Sequence, residues 1–378
     1  LAFAGIGADC VPLPDGARLS FGTRWDDTAN SDVPKAEMLN TIGAKASFYF
    51  NGGANKQDDF AKLGGTLRDL GHAVGNHSQT HTYVQQLSPN GFCREVLDLR
   101  LMIERAIDRT INSYVSPFGT QHNWLDHAQQ PLFAKILVAT GHYVTGDNPR
   151  ADLGQPHTTW YPAYRFYGND EKPDPDELRK NAARMLAQAL ADPDAPRLTL
   201  GTHAWCGAAG NEIQRKFLAE LCAGKPWVHQ SDWEYGAYRY QAINGSVRKV
   251  ATKGDVVTFE VTAFDPAALS SDVALSLKFD PKPVRVGDLA AGANDTWKLP
   301  HADGRTTVSA VDVAGANGVS ERFPGLTLAL TADPAKDEAT VVAFPKGMRL
   351  CAAATDGFES SWESTYRVGG FGMIPPPK

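Results

Sequence analysis

The sequence predicts an α/β fold, with a distorted or incomplete (β/α) barrel of about seven strands followed by a C-terminal β-sandwich domain. Two observations support this prediction. Between residues 18 and 240, short apolar segments alternate with amphipathic stretches, which is typical of parallel β–α units. Beyond Gly245, segments that alternate apolar with polar residues are separated by Gly, Pro, Asp and Asn, which is typical of an antiparallel sandwich. We therefore assign residues 1–244 to the barrel and residues 245–378 to the sandwich.

The predicted barrel strands are short apolar runs bounded by loop-forming residues. Because most of these runs are followed by a helical stretch, the strands are expected to pair in parallel. The predicted strands are Ala17–Phe21, Ala46–Phe50, His72–Gly75, Ser113–Val115, His142–Thr145, Leu198–Gly201 and Trp227–His229.

The predicted helices carry apolar residues at three- and four-residue spacing, as a helix that packs one face on a sheet requires. Prolines and acidic residues at positions 173–176 are typical of a helix start. The predicted helices are Val33–Ile42, Phe60–Leu70, Phe92–Arg109, Asp176–Ala191 and Asn211–Cys222.

The predicted sandwich strands have the period-two pattern of a half-buried strand. The domain boundary is placed near residues 242–247, where this pattern begins. The predicted sandwich strands are Val256–Ala263, Val273–Phe279, Leu326–Thr331 and Thr340–Phe344.

The composition is that of a soluble globular protein, with 42% hydrophobic and 21% charged residues. A net charge of -6 argues against nucleic acid and acidic lipid as partners, so we expect a neutral substrate. No apolar run approaches the roughly 20 residues that cross a bilayer, so no transmembrane segment is expected. The chain begins with Leu1 rather than Met, which suggests a processed product and favours a secreted, periplasmic or cell-surface location.

Two histidines directly after a predicted strand are the strongest local signal in the sequence. His77 and His81 follow the strand His72–Gly75 and lie four residues apart, so both imidazoles can reach one centre. Imidazole suits Zn and neighbouring metals, and such a pair needs a third ligand, often a carboxylate. A histidine pair on a solvated turn is the alternative reading if no carboxylate is near.

Adjacent acids supply that carboxylate. Asp26 and Asp27 come immediately after the predicted strand Ala17–Phe21, at the same end of the barrel as the histidine pair. Two neighbouring carboxylates raise each other's pKa unless a cation or hydrogen bonds compensate. One acid can therefore bind a metal while the other accepts a proton. An exposed turn or helix cap is the alternative reading of an Asp-Asp pair.

Two further segments are predicted to reach the same face of the barrel. Ser116–Gly119 follows the strand Ser113–Val115, and His203 follows the strand Leu198–Gly201. In β/α barrels the residues at the carboxyl ends of the strands converge on one face. The position of His203 at such a strand end favours a function over a structural role.

These motifs resemble those of the polysaccharide deacetylases of carbohydrate esterase family four, whose catalytic unit is the NodB homology domain. The first motif of that family reads Thr-Phe-Asp-Asp-Gly, and the segment Arg24–Thr28 matches its two acids. The histidine motif is matched in full by His77–His81, and the preceding Gly71–Asn76 and the segment Lys45–Phe50 are also similar. The resemblance covers about the first two thirds of the chain.

The resemblance implies a role for each of these residues. It implies that Asp27, His77 and His81 bind a divalent metal, with zinc expected and cobalt and nickel as the alternatives. It also implies that Asp26 is the general base and that His203 is the general acid. A metal with three protein ligands makes water a nucleophile at neutral pH.

The resemblance further implies that Pro117 and Phe118 belong to the substrate site, with the Phe118 backbone N–H stabilising the oxyanion. Asp147 is placed near the fourth motif of the family. The expected reaction is removal of an acetyl group from a carbohydrate.

Two positions depart from the family pattern. The third motif normally has an Arg two residues before Pro117, where this chain has Val115. That Arg ordinarily orients the base, so either another cation such as Arg24 takes its role or the base is tuned differently. The fifth motif has a Leu two residues before the acid histidine, where this chain has Gly201.

An aromatic segment suggests where a sugar could bind. Trp160, Tyr161 and Tyr164 fall in a predicted loop between the fifth and sixth strands, on the active face. Flat aromatic rings stack on the apolar faces of sugars, although a loop that packs its own aromatics is an equal alternative. The same two readings apply to Trp124, and Trp297 and Trp362 in the C-terminal domain are expected to be core residues.

The sequence thus predicts a metal-dependent hydrolase that acts on an acetylated polysaccharide or oligosaccharide, with N-acetylated amino sugars favoured over O-acetylated ones. Two alternatives remain open. One is an amidohydrolase of small non-sugar amides on the same fold. The other is a carbohydrate-binding protein that has lost activity, as the valine at position 115 suggests.

Overall fold

The computed structural model describes residues 7–52, 59–84, 87, 89–119, 136–137, 140, 142, 144–145, 159–160, 163–165, 172–191, 196–201, 203–244, 246–253, 256–262, 274–280, 290–299, 327–330 and 339–342. Its strands are β1 (Gly7–Cys10), β2 (Ser20–Asp26), β3 (Ala46–Phe50), β4 (Ala73–Asn76), β5 (Ser113–Tyr114), β6 (Val144–Thr145), β7 (Thr159–Trp160), β8 (Ala163–Arg165), β9 (Arg197–Gly201), β10 (Val228–His229), β11 (Ser246–Lys253), β12 (Val256–Thr262), β13 (Leu275–Asp280), β14 (Ala290–Ala291), β15 (Thr296–Leu299), β16 (Thr327–Leu330) and β17 (Ala339–Val342). Its helices are α1 (Asp32–Asn40), α2 (Gly65–Asp69, preceded by a π-helical turn at Phe60–Gly64), α3 (Pro89–Ile107), α4 (Pro175–Leu190), α5 (Ala208–Cys222) and α6 (Asp232–Asn244).

The central element is a curled parallel sheet. Its strand order is β7-β6-β5-β4-β3-β2-β9-β8, and β10 also pairs with β2. All of these pairings are parallel, which confirms the distorted (β/α) barrel over the described residues. The sheet buries Phe48 and Phe50 against helix residues such as Leu67, Leu99 and Ile103.

The first barrel strand is longer than predicted, because it runs to Asp26 instead of ending at Phe21. Its first half pairs with β9 and β10, and its second half pairs with β3. The prediction ended the strand where polar residues begin. These polar side chains are buried, so backbone pairing overrides the local pattern.

The predicted aromatic loop is also partly strand. Trp160 lies in β7, and Tyr164 lies in β8, which pairs with β9. Aromatic residues favour strands because they pack well on a pleated surface, and this propensity was not weighed in the sequence analysis.

Helix α6 was not predicted, because its apolar residues lie on several sides and leave no clear stripe. Its Tyr238 hydroxyl donates a hydrogen bond to the Val11 carbonyl at 2.9 Å. Tyr238 is buried with Leu275, Leu277 and Phe279 of β13. The helix therefore connects the barrel to the strands that follow it.

The C-terminal strands form one four-stranded antiparallel sheet, ordered β1-β13-β15-β14, and two hairpins, β11-β12 and β16-β17. Strand β1 comes from the start of the chain, so this sheet includes a segment that the sequence analysis assigned to the barrel. The division at residue 244 and the packing of these strands as a sandwich remain predictions. No helix in the described part of the chain has the length and apolar character that crossing a membrane requires.

Candidate active site

Strand β2 brings Arg24, Asp26 and Asp27 to the carboxyl end of the sheet. Asp26 is the last residue of the strand, and Asp27 follows with a φ of 62°, in the left-handed region. This turn directs the chain away from the strand at a point where the Asn51 side chain donates a hydrogen bond to Asp27 Oδ1 at 2.9 Å. Both carboxylates are buried.

The histidine motif follows β4, as predicted. Ser78 and His81 have φ values of 66° and 54°, so the segment folds back on itself and both imidazoles face Asp27. The Nε2 atoms of His77 and His81 lie 3.4 and 2.8 Å from Asp27 Oδ1. Left-handed conformations outside glycine are uncommon and cluster at functional sites.

The predicted ligands meet the requirements of a metal site. Asp27, His77 and His81 are buried, and their ligand atoms all lie within 4.8 Å of one another. His81 Nε2 is buried without a hydrogen bond of good geometry, and a cation held between it and the Asp27 carboxylate would satisfy both groups. One carboxylate oxygen facing two imidazole nitrogens is a donor set that suits Zn.

A backbone hydrogen bond orients the first histidine. His77 Nδ1 lies 2.9 Å from the Val115 carbonyl oxygen and can donate to it. With the proton on Nδ1, the lone pair of Nε2 points toward Asp27, which is the usual support for a metal-binding histidine. Burial alone lowers the pKa of His77, but the Asp26 and Asp27 carboxylates raise it above its ordinary value.

Arg24 and Asp26 form a buried, bidentate ion pair. Arg24 Nε donates to Asp26 Oδ1 at 2.8 Å, and Arg24 Nη2 donates to Oδ2 at 2.6 Å. Residues two apart on a strand share a face, which brings these side chains together. Burial raises the pKa of Asp26, but Arg24, together with His77, holds it below its ordinary value. Asp26 is therefore ionised at neutral pH.

His203 reaches the site from β9. Its backbone forms an isolated parallel bridge with Asp26, and its Nε2 lies 3.3 Å from Asp27 Oδ2. Its imidazole stacks on the indole of Trp205, with ring centroids 3.8 Å apart and planes within 7°. The structure thus brings the predicted acid to the opposite oxygen of the same carboxylate that the two ligand histidines face.

Gly201 explains one departure from the family pattern. It has a φ of 149°, and a Cβ at this position would lie 1.9 Å from the Arg24 carbonyl oxygen. A leucine cannot be accommodated there without moving β2 or β9. The absence of a side chain lets the two strands approach at Arg24.

Phe118 lies beside the second ligand histidine. It has a φ of 61°, and its ring is 4.5 Å from that of His81 and 4.2 Å from that of Tyr83, on which it stacks. Pro117 begins this turn and is buried. The structure therefore places the third motif next to the predicted metal ligand His81.

Glu95 of α3 supports the histidine motif and was missed by the sequence analysis. Its carboxylate accepts hydrogen bonds from the Thr80 backbone N–H at 2.8 Å and from the Thr80 hydroxyl at 2.5 Å. Burial raises its pKa to about 7, against the opposing effect of these hydrogen bonds. An acid three residues after Phe92 and four before Leu99 interrupts an apolar helix face, and that signal could have identified it.

The remaining predicted substrate residues are not placed by the structure. The side chains of Trp160 and Tyr164 lie outside the described part, although their backbones belong to β7 and β8. Tyr161, Asp147, Trp124 and Trp362 also lie outside the described residues, as does the side chain of Trp297. Their predicted roles remain predictions.

Comparison with known proteins agrees with the motifs. Residues 20–132 match the family described as polysaccharide deacetylase, which confirms the predicted resemblance over that part of the 378-residue chain. A comparison with curated proteins found no match.

Several solved structures are similar at low identity. One is a pseudoenzyme of carbohydrate esterase family 4 from Bacillus anthracis, with 16% identity, a TM-score of 0.41, and coverage of 57% of this chain and 64% of that chain, which is less than two thirds of its length. Another is a family 4 carbohydrate esterase from Streptomyces lividans in complex with acetate, with 17% identity, a TM-score of 0.40, and coverage of 55% and 90%. A third is a polysaccharide deacetylase from Bacillus cereus, with 18% identity, a TM-score of 0.39, and coverage of 56% and 91%.

Proposed function

We propose that the protein is a metal-dependent hydrolase that removes acetyl groups from an acetylated carbohydrate, with an N-acetylated amino sugar in a polysaccharide as its substrate. One observation carries the proposal. The Oδ1 atom of Asp27 lies close to Nε2 of both His77 and His81, and an ionised Asp26 and His203 lie beside Asp27. The family match over residues 20–132 supports the same reaction class. Because the proposed substrate is a polysaccharide, we also propose that the protein acts outside the cytoplasm, as a secreted, periplasmic or cell-surface protein.

In this proposal Asp27, His77 and His81 hold the metal, with zinc favoured by the nitrogen and oxygen donors. When bound, a divalent metal supplies the positive charge that lowers the pKa of water toward neutrality. The protein contributes dry surroundings and fixed ligands, since all three side chains are buried. Asn51 keeps the carboxylate in place by its hydrogen bond to Oδ1.

Asp26 takes the proton from the attacking water. A general base must be ionised at the working pH, and Arg24 keeps it so despite burial. The attack forms a tetrahedral oxyanion at the acetyl carbon, for which the Phe118 backbone N–H is the proposed donor. His203 then gives a proton to the departing amine nitrogen, so that acetate and a free amine leave.

Arg24 is proposed to replace the arginine that the family carries where this chain has Val115. The bidentate geometry satisfies both oxygens of Asp26 from one guanidinium, as the missing residue is expected to do. The valine therefore does not by itself imply loss of activity. This weakens the alternative of a non-catalytic carbohydrate-binding protein.

Metal analysis combined with acetate release from a panel of acetylated glycans and small amides tests the proposal. Purified protein is expected to retain about one divalent ion and to release acetate from glycans. Asp26→Asn and His203→Ala should each lower turnover by about 10²–10⁴. His229→Ala is the matched control, because this histidine ends β10 and pairs with Phe21, at the end of β2 away from Asp26.

The possible outcomes separate the alternatives. Bound metal without release of acetate from any substrate would favour the carbohydrate-binding protein. Turnover of small amides alone would favour the amidohydrolase. Full activity of both Asp26→Asn and His203→Ala would refute the assigned roles even if the reaction were right.

A further inference from the structure

The aromatic residue Trp205 is exposed next to the proposed acid. Among the large hydrophobic side chains that the described residues expose, it is the aromatic one, and 37% of its surface is accessible. Single exposed aliphatic residues such as Leu190 are normal and need no explanation. An indole stacked at 3.8 Å on His203 is different, because it packs directly on the side chain proposed as the acid.

The orientation of this indole is built into the fold. The next residue, Cys206, is buried, and its sulfur lies 3.0 Å from Nζ of the fully buried Lys35. Lys35 also donates to the side chain of Gln214 in α5. The loop is therefore held between α1 and α5 directly beside Trp205. An indole on a fixed loop can serve as a rigid surface with little loss of conformational entropy on binding.

A second aromatic pair lies on the other side of the metal site. Tyr83 stacks on Phe118 at 4.2 Å with planes within 20°, and Phe118 contacts the His81 ring. Tyr83 and Phe118 are both partly exposed. They belong to the β4 and β5 side of the sheet, whereas Trp205 belongs to the β9 side, and Asp27 follows β2 between them.

The strand order fixes the span between the two pairs. Four interstrand spacings separate β5 from β9 in the order β5-β4-β3-β2-β9. At about 4.8 Å per spacing, the strand ends lie about 19 Å apart along the curved sheet. Because the sheet curls, this length is an upper limit, and it leaves room for more than one sugar ring across the site.

We propose that Trp205 and Tyr83 are sugar-stacking residues, which hold an acetylated oligosaccharide of several units lengthwise across the metal site. The inference rests on the proposed deacetylase function and extends it by naming residues that select for chain length. Pyranose rings present apolar faces that stack on flat aromatics, while their hydroxyls stay in water. The net charge of -6 is compatible with a neutral chain.

Turnover of substrates of different length tests this proposal. The assay uses N-acetylglucosamine oligomers of one to six units with metal-loaded protein. The wild-type kcat/KM is expected to rise with oligomer length. Trp205→Ala should raise KM for the longest oligomer by about tenfold to a hundredfold, as the loss of a central aromatic contact does. Tyr83→Ala should give a smaller rise because the Phe118 ring, on which Tyr83 stacks, remains and keeps an aromatic face on that side.

Three controls separate stacking from a structural role. Trp205→Phe should restore most of the affinity because it keeps an aromatic face. Leu190→Ala removes an exposed apolar side chain at the end of α4 and should change nothing. In Trp205→Ala, kcat/KM should fall much less for the N-acetylglucosamine dimer than for the hexamer. An equal fall in kcat for the dimer and the hexamer would overturn the proposal, because Trp205 would then act through His203.

Direct binding distinguishes failure of this inference from failure of the proposed function. Calorimetry with the Asp26→Asn variant measures the affinity for the same oligomers without turnover. If no glycan is hydrolysed but the hexamer binds and Trp205→Ala weakens it, the stacking role stands and the proposed reaction is wrong. Turnover with no dependence on length, or no weakening of binding in Trp205→Ala, overturns the stacking role.

Discussion

Removing the guanidinium of Arg24 should leave a buried carboxylate without its partner. Arg24→Met keeps a long apolar side chain but deletes both hydrogen bonds to Asp26. The two side chains are only 8% and 7% exposed, so water cannot replace the lost donors. Burial, which already acts to raise the pKa of Asp26, would then be opposed mainly by His77 and His203.

The size of the effect follows from the burial of the pair. Breaking a buried ion pair by removing one partner costs about 3–5 kcal/mol of stability, because a desolvated charge is left uncompensated. Asp26 should relieve this cost by binding a proton, and a protonated acid cannot act as a base. We therefore expect turnover to fall by about 10²–10⁴ at neutral pH. Arg24→Lys should be intermediate, since it keeps the charge but not the fork.

The assay combines urea unfolding with acetate release by the metal-loaded variants. Arg215→Met is the matched control, because Arg215 makes a bidentate pair with Glu212 at 2.7 and 2.8 Å on the exposed face of α5. An exposed pair is screened by water, so this variant should show no measurable loss of stability or activity. The double variant Arg24→Met/Asp26→Asn should be more stable than Arg24→Met, because it removes the stranded charge as well.

Two results would refute this reasoning. One is a double variant that is no more stable than Arg24→Met, which would mean that the charge of Asp26 is compensated by other groups. The other is Arg24→Met with wild-type turnover, which would show that Asp26 does not depend on Arg24 to stay ionised.

Three further predictions concern the frame of the site. Gly201→Ala should destabilise the protein by more than about 3 kcal/mol in urea unfolding, since its Cβ would lie 1.9 Å from the Arg24 carbonyl oxygen. Gly65→Ala is the control and should be neutral or slightly stabilising, because Gly65 has open space around it and helical dihedral angles. Equal effects of the two substitutions would contradict the packing argument. Because the pKa of Glu95 is raised from 4.5 to about 7, its stabilising effect is fully present below pH 4.5 and is lost as the pH rises to about 7, by on the order of 3 kcal/mol. Glu95→Gln should flatten the dependence of unfolding free energy on pH in that window, and an unchanged slope would show that other groups cause it. Zinc at one hundred times its Kd should stabilise the wild-type protein by about 2.7 kcal/mol in thermal unfolding, and a chelator should reverse this gain. Asp27→Asn should be neither stabilised by zinc nor destabilised by the chelator. Equal stabilisation of both proteins by zinc would place the metal elsewhere.

Several parts of this structure could be predicted because they depend on local pattern. The strand Ala46–Phe50 has the predicted bounds, since it is a short apolar run between loop residues. The convergence of the Asp26–Asp27 pair with His77 and His81 follows from the rule that carboxyl ends of parallel strands share one face, whereas the choice of Asp27 as the ligand comes from the family resemblance. Neither prediction needed knowledge of which distant segments pair.

Other parts depend on pairing between distant segments and could not be predicted in this way. Strand β1 pairs with β13, some 270 residues later in the chain, and no local period encodes that contact. Because the first barrel strand was predicted to end at Phe21, the prediction did not place Arg24 and Asp26 on one strand face. A predicted strand that continued to Asp26 would have placed Arg24 and Asp26 on one face, and the ion pair could then have been predicted from their spacing.

The two departures from the family pattern are physically connected. Arg24 lies on β2, and the place where its backbone carbonyl meets β9 is Gly201, which has no Cβ to obstruct it. Two residues later, His203 forms its bridge with Asp26, the partner of Arg24. A glycine at 201 thus permits the strand approach that brings Asp26, Arg24 and His203 together, while the valine at 115 leaves the Asp26 carboxylate to Arg24. It follows that Val115→Arg should partly restore turnover to Arg24→Met, but should not rescue Gly201→Ala, which disturbs β2 itself.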